Sequence, residues 1–296
     1  MPNFSDRRSL LRVIAAAPLA RALPARGTEG VHDLASADAR FVALEAGSGG
    51  RLGVVAIDTK SGVRIQHRAD ERFPFCSTFK VVLAGAILAR SVRTEGLLQR
   101  HMTYGKADLV SHSPVTGKHL ADGMTVAELC RAALQYSDNT ASNLLTGLLG
   151  GPSAVTAFAR AIGDSTFRLD RPETALNTAL PGDPRDTTTP AAMARTLQSL
   201  ALGDTLPAPL RAQLQDWLRG NTTGAKRIRA GVPDTWQVGD KTGSGAHGTS
   251  NDIAVLWRPE RAPVVLTVYF TQPEPDAQWN DGVIAAAARI AADALG

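Results

Sequence analysis

The segment Pro74-Phe75-Cys76-Ser77-Thr78-Phe79-Lys80-Val81-Val82-Leu83 predicts the start of a buried helix. Pro74 ends a polar lead-in, and from Ser77 onward apolar residues recur at helical spacing. Ser77 and Lys80 then lie on one face, one turn apart. An adjacent amine that can be neutral activates a serine hydroxyl, which is otherwise a poor nucleophile. The ordinary alternative is a capping serine followed by a surface lysine, because Ser-x-x-Lys is a short pattern.

The composition is ordinary for a globular enzyme. The 296 residues are 44% hydrophobic and 20% charged, with a formal net charge of +4. This balance argues against a disordered chain or a membrane bundle, and the length allows a sizeable core. No apolar run after the N-terminus reaches the roughly 18 residues that a membrane span needs. We therefore expect a soluble protein with one large domain or two closely packed ones.

The N-terminus resembles an export signal. Arg7-Arg8 followed by Ser9-Leu10-Leu11 is typical of the twin-arginine type, and small residues follow at Ala20-x-Ala22. Cleavage after Ala22 would remove four arginines and one aspartate, which takes the net charge from +4 to +1. No basic patch would then indicate a nucleic-acid partner. We predict that residues 1–22 direct the protein to the periplasm, the alternative being a frayed basic tail.

Strand-like segments lie near both ends of the chain, with helical segments between them. Strands are predicted over 51–58, a following segment through 66, 235–241, 252–257 and 263–270, and helices over 31–46 and 279–295. We expect an α/β (α+β) fold: an antiparallel sheet built from both termini, flanked by helices, with an inserted all-helical lobe. The predicted α/β lobe comprises 30–68 and 218–296, the helical lobe comprises 69–217, and the active site lies between them.

Two further motifs favour a functional interpretation of the pair Ser77 and Lys80. Ser137-Asp138-Asn139 falls between two helical runs, and Lys241-Thr242-Gly243 ends a predicted strand. Alone, the first is an ordinary helix cap and the second a hairpin turn. With Ser77-x-x-Lys80 they form, in this order, the motif set of class A β-lactamases and penicillin-binding proteins.

A fourth element, Arg171-Pro172-Glu173-x-x-Leu176-Asn177, opens a stretch with Pro and Gly that runs to Asp186. With this element, the sequence resembles class A serine β-lactamases over nearly all of its length after the signal. The resemblance implies a β-lactamase/transpeptidase-like fold and hydrolysis of the β-lactam amide of penicillins and cephalosporins, which confers resistance to these antibiotics.

The resemblance also implies roles for the catalytic residues. Ser77 would form the acyl-enzyme, with Lys80 or Glu173, acting through a water, as the base. Ser137 would pass a proton to the ring nitrogen. Glu173 and Asn177 would position the water that hydrolyses the acyl-enzyme.

The other implied residues bind substrate or support the site. The backbone amides of Ser77 and Ser244 would form the oxyanion hole, and Lys241, Thr242 and Ser244 would hold the substrate carboxylate. The predicted substrate-binding set is Asn139, Asn177, Arg227, Lys241, Thr242, Gly243, Ser244 and His112. Arg171 and Asp186 are predicted to form an ion pair that closes the base of the Glu173 loop.

Some positions depart from the commonest pattern of the family. His112 stands where a tyrosine or tryptophan is usual, which leaves the shape of that wall open. Ser250 stands where many members have an arginine, and Arg227 resembles the replacement found in others. Ser244 resembles members with broadened cephalosporin activity. Cys76 and Cys130 lack the partners with which they would pair in some relatives, so both thiols are predicted to be free.

Two other functions share the core motifs: a penicillin-binding D-alanyl-D-alanine peptidase or transpeptidase, and a non-catalytic β-lactam sensor. The first normally lacks the Glu173 element, and the second needs a signalling or membrane segment. The pattern Gly243-x-Gly245-x-x-Gly248 matches a dinucleotide site, but a strand-like run follows it instead of a helix. The sequence has no H-E-x-x-H or C-x-x-C. We expect a monomer that acts on small-molecule β-lactams without a metal, a cofactor, a nucleic acid or a membrane.

Overall fold

The computed structural model describes residues 28–296. Its helices are α1 (Thr28–Ser48), α2 (Lys80–Ser91), α3 (Val126–Gln135), α4 (Asn139–Leu149), α5 (Pro152–Ala161), α6 (Pro190–Ala201), α7 (Ala208–Arg219), α8 (Ile228–Gly231) and α9 (Asp281–Leu295). Its strands are β1 (Arg51–Asp58), β2 (Arg64–His67), β3 (Phe73–Pro74), β4 (His101–Met102), β5 (Met124–Thr125), β6 (Thr187–Thr188), β7 (Gln237–Ser244), β8 (Ser250–Trp257) and β9 (Val264–Thr271). The predicted export signal, residues 1–22, lies outside the described residues.

One antiparallel sheet joins the two ends of the chain, in the strand order β2-β1-β9-β8-β7. The central pairing runs from Arg51↔Thr271 to Asp58↔Val264, so the first strand lies beside the last. The sheet built from both termini and the mixed α/β class are thereby confirmed. Strand β7 continues to Ser244, beyond the predicted end at Lys241, because its ladder to β8 extends to Ser244↔Ser250.

The two faces of this sheet bury two separate cores. Neighbouring residues of a strand point to opposite faces, so Val54 packs against α1 and α9 while Val55 packs against the helices of the middle segment. A strand that is buried on both sides is apolar throughout, as Leu52–Ile57 is. The sheet therefore holds the helices of the middle segment against one face, and the candidate site lies where they meet.

The middle segment differs from the prediction in two respects. It also contains short strand pairs, β3 with β6 and β4 with β5. The residues Cys76–Phe79 form a 3₁₀ turn, and α2 begins at Lys80. Ser77 therefore lies in the turn that leads into the helix and not in the first turn of the helix itself. The lobe boundaries near residues 69 and 217 stay predictions.

Two further observations concern the described part of the chain. None of its helices is long and apolar enough to cross a membrane. Cys76 and Cys130 are both buried and both free.

Candidate active site

Ser77 lies in the 3₁₀ turn where the turn passes close to β7. A Cβ on Gly243 would stand 2.7 Å from the Phe75 carbonyl oxygen and 3.2 Å from the Ser77 nitrogen, so only glycine allows this approach. Ser77 is buried, and its Oγ donates to Glu173 Oε1 at 3.2 Å. A serine hydroxyl thus meets a carboxylate at the floor of the site.

Lys80, the first residue of α2, is fully buried. Its Nζ donates to the Ser137 carbonyl at 2.8 Å and to Asn139 Oδ1 at 2.6 Å, and it lies 3.1 Å from Glu173 Oε1. Burial lowers the pKa of Lys80, and the charge of Glu173 opposes that shift. A lowered pKa makes the neutral amine, which can accept a proton, more accessible.

Ser137 contacts two lysines with one oxygen. Its Oγ accepts from Lys241 Nζ at 3.0 Å and from Lys80 Nζ at 3.4 Å. While both amines are charged they can only donate to this oxygen, which leaves the proton of Ser137 available for another acceptor. Ser137 has φ 56°, a backbone conformation that non-glycine residues adopt rarely and that is found at functional sites. Burial, followed by the charge of Lys80, lowers the pKa of Lys241 well below its ordinary value.

Asp138 explains why the chain turns at Ser137. Its buried carboxylate caps α4 by accepting from the Ala141 amide at 2.9 Å. The same carboxylate accepts from the Val115 amide at 3.0 Å and the Thr116 amide at 2.9 Å. These bonds tie the helix start to the preceding loop and hold Ser137 and Asn139 in place.

Glu173 is held by two asparagines. Asn143 bonds the Glu173 backbone on both sides: its Oδ1 accepts from the amide at 2.9 Å, and its Nδ2 donates to the carbonyl at 2.8 Å. Asn177 Nδ2 donates to Glu173 Oε2 at 2.6 Å. Asn177 Oδ1 is buried with no hydrogen-bond partner among the described residues. Buried polar atoms in proteins are nearly always paired, so this acceptor marks a place suited to a water.

Arg171 and Asp186 meet at the two ends of the Glu173 loop. Arg171 Nε donates to Asp186 Oδ2 at 2.5 Å. The other carboxylate oxygen accepts from the backbone amides of Asp170 at 2.7 Å and Arg171 at 3.0 Å. Asp186 is fully buried, whereas the Arg171 side chain is 19% exposed.

The end of β7 forms another wall of the pocket. Arg227 lies behind it and donates to the Gly243 carbonyl at 2.8 Å, the Asn251 carbonyl at 2.7 Å and Ser244 Oγ at 2.7 Å. Its Nε donates to Asp281 Oδ1 at 2.7 Å. Four of the five guanidinium hydrogens are thus engaged, which leaves one for a ligand. Ser244 Oγ accepts from Arg227, so its own proton is free to face the pocket.

Asn139 and His112 lie on the helical side of the site. The Asn139 amide is used on both sides, since Oδ1 accepts from Lys80 and Nδ2 donates to the Ser111 carbonyl at 2.9 Å. His112 is exposed, with Nε2 3.1 Å from the Tyr136 carbonyl oxygen, and has φ 60°. An imidazole, which is smaller than the tyrosine or tryptophan side chain usual in the family, therefore lines this side of the pocket.

These residues surround a pocket of 520 Å³. Its lining includes Ser77, Ser137, Asn139, Asn177, Arg227, Thr242, Gly243, Ser244 and His112 from the predicted set. Lys80, Glu173 and Lys241 lie just beneath it, while Arg171 and Asp186 lie outside it. No group of His, Cys, Asp and Glu within residues 28–296 is arranged to hold a metal ion.

The pocket also includes residues that sequence reasoning missed. Thr223 contacts Thr242 at 2.5 Å between the hydroxyl oxygens, and Asp281 holds Arg227. Trp279 is 62% exposed at the rim, and its Nε1 donates to the Gly245 carbonyl at 2.9 Å. Neither Thr223 nor Trp279 belongs to a motif. The place of Asp281 in the first turn of α9 is typical of an acid near a helix N-terminus and does not point to a pocket.

Comparison with known proteins agrees with this arrangement. Residues 36–295 match the sequence model of the β-lactamase enzyme family. β-Lactamase OXY-2 from Klebsiella oxytoca is 53% identical over 293 residues, which cover 98% of this chain and 99% of that protein. The crystal structure of a β-lactamase from Desulfarculus baarsii superposes with a TM-score of 0.88 at 59% identity, covering 89% of this chain and 98% of that one. A tryptophan-to-aspartate mutant of the class A β-lactamase of the last common ancestor of Gram-negative bacteria gives a TM-score of 0.85 at 59% identity, covering 88% and 98%. The chain therefore belongs to the β-lactamase enzyme family, in its class A.

Proposed function

We propose that this protein is a serine β-lactamase, which hydrolyses the β-lactam amide of penicillins and cephalosporins and so confers resistance to them. One observation carries the proposal: the hydroxyl of Ser77 lies 3.2 Å from Glu173 Oε1, which in turn lies 3.1 Å from Lys80 Nζ, at the floor of an open pocket. The carboxylate of Glu173 thus contacts both the nucleophile and the buried amine.

In the first half of the reaction, Ser77 Oγ attacks the lactam carbonyl and loses its proton. Two bases are available, Glu173 and Lys80, and Glu173 Oε1 lies 3.2 Å from Ser77 Oγ and 3.1 Å from Lys80 Nζ. Glu173 contacts Ser77 directly or acts through a water, and Lys80, with its pKa lowered by burial, accepts a proton once it is neutral. The new bond is the ester between Ser77 Oγ and the carbonyl carbon.

The lactam C–N bond breaks in the same half-reaction, and the ring nitrogen needs a proton. Ser137 is suited to supply it, because its oxygen accepts from both lysines and the residue lines the pocket. Lys241 or Lys80 then restores that hydrogen. The developing charge on the carbonyl oxygen would be stabilised by the backbone amides of Ser77 and Ser244.

The substrate carboxylate would bind at the end of β7. Lys241 contributes positive charge, and the hydroxyls of Thr242 and Ser244 contribute direction. Arg227 acts mainly through Ser244, since four of its hydrogens are already engaged. Asn139 would meet the acylamino group of the substrate from the other side.

In the second half of the reaction, a water attacks the ester and releases the product acid. Glu173 would take a proton from this water, and Asn177 would hold it. The partnerless Asn177 Oδ1 beside Glu173 supports this assignment, because it is an acceptor that a water can satisfy. Ser77 recovers its proton, and the site returns to its starting state.

A penicillin-binding peptidase and a β-lactam sensor remain the competing functions. Either protein would form an acyl-enzyme with a β-lactam, but neither would hydrolyse that ester quickly. The position of Glu173 against Ser77 favours the hydrolase. We further propose that the mature protein is a monomer in the periplasm.

Turnover of a chromogenic cephalosporin by the purified protein tests the function. We expect many product molecules per protein molecule, and none from Ser77→Ala. A burst of one product per protein, followed by no further release, would instead identify an acceptor of the peptidase or sensor type. Gel filtration of the same sample should give one peak near the 31.2 kDa of the full chain, or slightly below it once the signal is removed.

A further inference from the structure

Thr223 lies in the turn after α7. Its side-chain oxygen contacts Thr242, one of the residues proposed to bind the substrate carboxylate. Its Oγ1 is 2.5 Å from Thr242 Oγ1. Either hydroxyl could donate in this contact, and which of them does decides what Thr242 presents to a ligand. The residues behind Thr223 determine the direction.

A chain of polar groups, of which Asn221 and Asp240 are buried, fixes the partner of Thr223. Arg229 Nε donates to Asp240 Oδ1 at 2.7 Å, and Asp240 Oδ2 accepts from Asn221 Nδ2 at 2.6 Å. The Thr223 backbone amide donates to Asn221 Oδ1 at 3.1 Å. Since a backbone amide can only donate, the atom facing Thr223 is the oxygen of the Asn221 side chain.

The turn cannot easily move away from this chain. A Cβ on Gly224 would stand 1.9 Å from Asp240 Oδ2, so the backbone packs directly against the carboxylate. Asn221 and Asp240 are both buried. Thr223 itself is exposed on the pocket side, where a substrate would lie.

The direction of each proton follows from these contacts. Thr223 Oγ1 lies 2.8 Å from Asn221 Oδ1, an oxygen that carries no hydrogen, so the Thr223 hydroxyl donates there. Toward Thr242 it can then only accept. The Thr242 hydrogen therefore points at Thr223, and the lone pairs of Thr242 face the pocket.

This arrangement is the reverse of what a carboxylate needs. A carboxylate accepts hydrogen bonds, so Thr242 must turn its hydrogen into the pocket when the ligand arrives. The two threonine oxygens would then face each other at 2.5 Å without a hydrogen unless Thr223 also turns. Thr223 can turn because Asn221 Oδ1 keeps the Thr223 backbone amide as a donor.

We propose that Thr223 is a positioning residue of the carboxylate subsite, whose hydroxyl reverses direction when a substrate carboxylate binds to Thr242. In the free protein it accepts from Thr242. In the complex it donates to Thr242, which strengthens the bond from Thr242 to the carboxylate. The inference rests on the proposed function, because it assumes that the substrate carboxylate binds at Thr242.

Thr223→Val tests the proposal, since it keeps the shape and removes the hydroxyl. We expect kcat/KM for benzylpenicillin to fall, mainly through KM and by no more than the roughly 10-fold value of one hydrogen bond, because Thr242 would donate to the carboxylate without receiving a hydrogen bond from Thr223. Thr223→Ser should restore it. The methyl ester of benzylpenicillin, which lacks the charged carboxylate, should show a smaller loss, and in a Thr242→Val background the Thr223→Val change should have no further effect.

Thr222→Val is the matched control. Its hydroxyl donates to the Gln135 carbonyl at 2.7 Å, away from the pocket, so kcat/KM should not change. Equal kcat/KM in Thr223→Val and wild type, or an undiminished loss in the Thr242→Val background, would overturn the inference while leaving the proposed function intact. Wild-type protein that does not hydrolyse benzylpenicillin would overturn the proposed function itself.

Discussion

At the scale of single residues, Glu173 distinguishes a hydrolase from an acceptor that stays acylated. Acylation has proton routes through Lys80 and Ser137 as well as through Glu173. Hydrolysis of the ester needs a base next to a water; in the proposed mechanism Glu173 is the base, and Asn177, whose Nδ2 donates to Glu173 Oε2 at 2.6 Å, holds the water. Loss of the carboxylate should therefore affect the second half-reaction more than the first.

We predict that Glu173→Ala reacts with benzylpenicillin at Ser77 and releases the product slowly. Loss of a general base typically costs about 100-fold to 10,000-fold in rate, so the ester should last long enough to be isolated. Intact-mass spectrometry after brief exposure should show the protein plus one whole drug molecule, and Ser77→Ala should show no adduct. Unchanged turnover in Glu173→Ala without any adduct would contradict the deacylation mechanism.

At the scale of an element, the Glu173 loop depends on the contact between Arg171 and Asp186. The buried Asp186 carboxylate joins the two ends of the loop through one guanidinium and two backbone amides. Removing one partner of a buried pair leaves the other charge without compensation. Asp186→Asn removes the negative charge, and the amide nitrogen of asparagine, a donor, would also face either Arg171 Nε or the two backbone amides.

We predict that Asp186→Asn lowers the free energy of unfolding by about 3 to 5 kcal/mol and slows deacylation. Asp183→Asn is the control within the same loop, because its partner Arg185 is 48% exposed. Exposed pairs contribute up to about 1 kcal/mol, so this variant should stay close to wild type. Chemical denaturation and steady-state turnover measure both quantities, and an Asp186→Asn protein with unchanged stability and turnover would remove the role of the pair.

At the scale of the whole molecule, Arg258 joins the end of β1 to the last helix, α9. It donates to Asp58 Oδ2 at the end of β1 at 2.5 Å, and to the Leu295 carbonyl in α9 at 2.6 Å. Burial raises the pKa of Asp58, but the Ser61 amide and Arg258 outweigh it and hold the pKa below its ordinary range. The folded state therefore favours the ionised carboxylate more strongly than the unfolded chain does.

We predict that Asp58→Asn destabilises the protein at neutral pH by about 3 to 5 kcal/mol. Because the folded pKa is depressed, the contribution of Asp58 is fully present above its unfolded pKa of about 3.9 and is lost as the pH falls toward the folded pKa. The difference between mutant and wild type should therefore narrow below about pH 4. Urea denaturation across this range measures it. Asp293→Asn, whose partner Arg40 is 42% exposed, should have little effect at any pH.

Much of the fold was predictable because its signals are local. A capping box at Thr125 and Glu128 starts α3, and Thr189 with Pro190 starts α6; such signals can be read from the sequence because capping and proline geometry act within four residues. The apolar run of β1 predicts burial on both faces. The sequence predicts that β7 ends at Lys241, whereas the strand continues for three more residues to Ser244. A strand continues as long as a neighbouring strand pairs with it, and that pairing is decided by the tertiary structure.

The residues of the candidate site likewise divide into those that local motifs identify and those that only the folded structure brings together. The amino-acid sequence by itself determined the family, through motifs whose members lie within a few residues of each other, and with it the choice of Ser77, Lys80 and Glu173 as candidate catalytic residues. Tertiary structure alone decided that Ser77 meets Glu173 across 96 positions of chain, that Asp281 holds Arg227 across 54, and that Thr223 orients Thr242 across 19. Side-chain contacts at such separations depend on how the sheet and helices pack. A single hydroxyl such as that of Thr223 has no periodicity or local partner that the sequence could reveal.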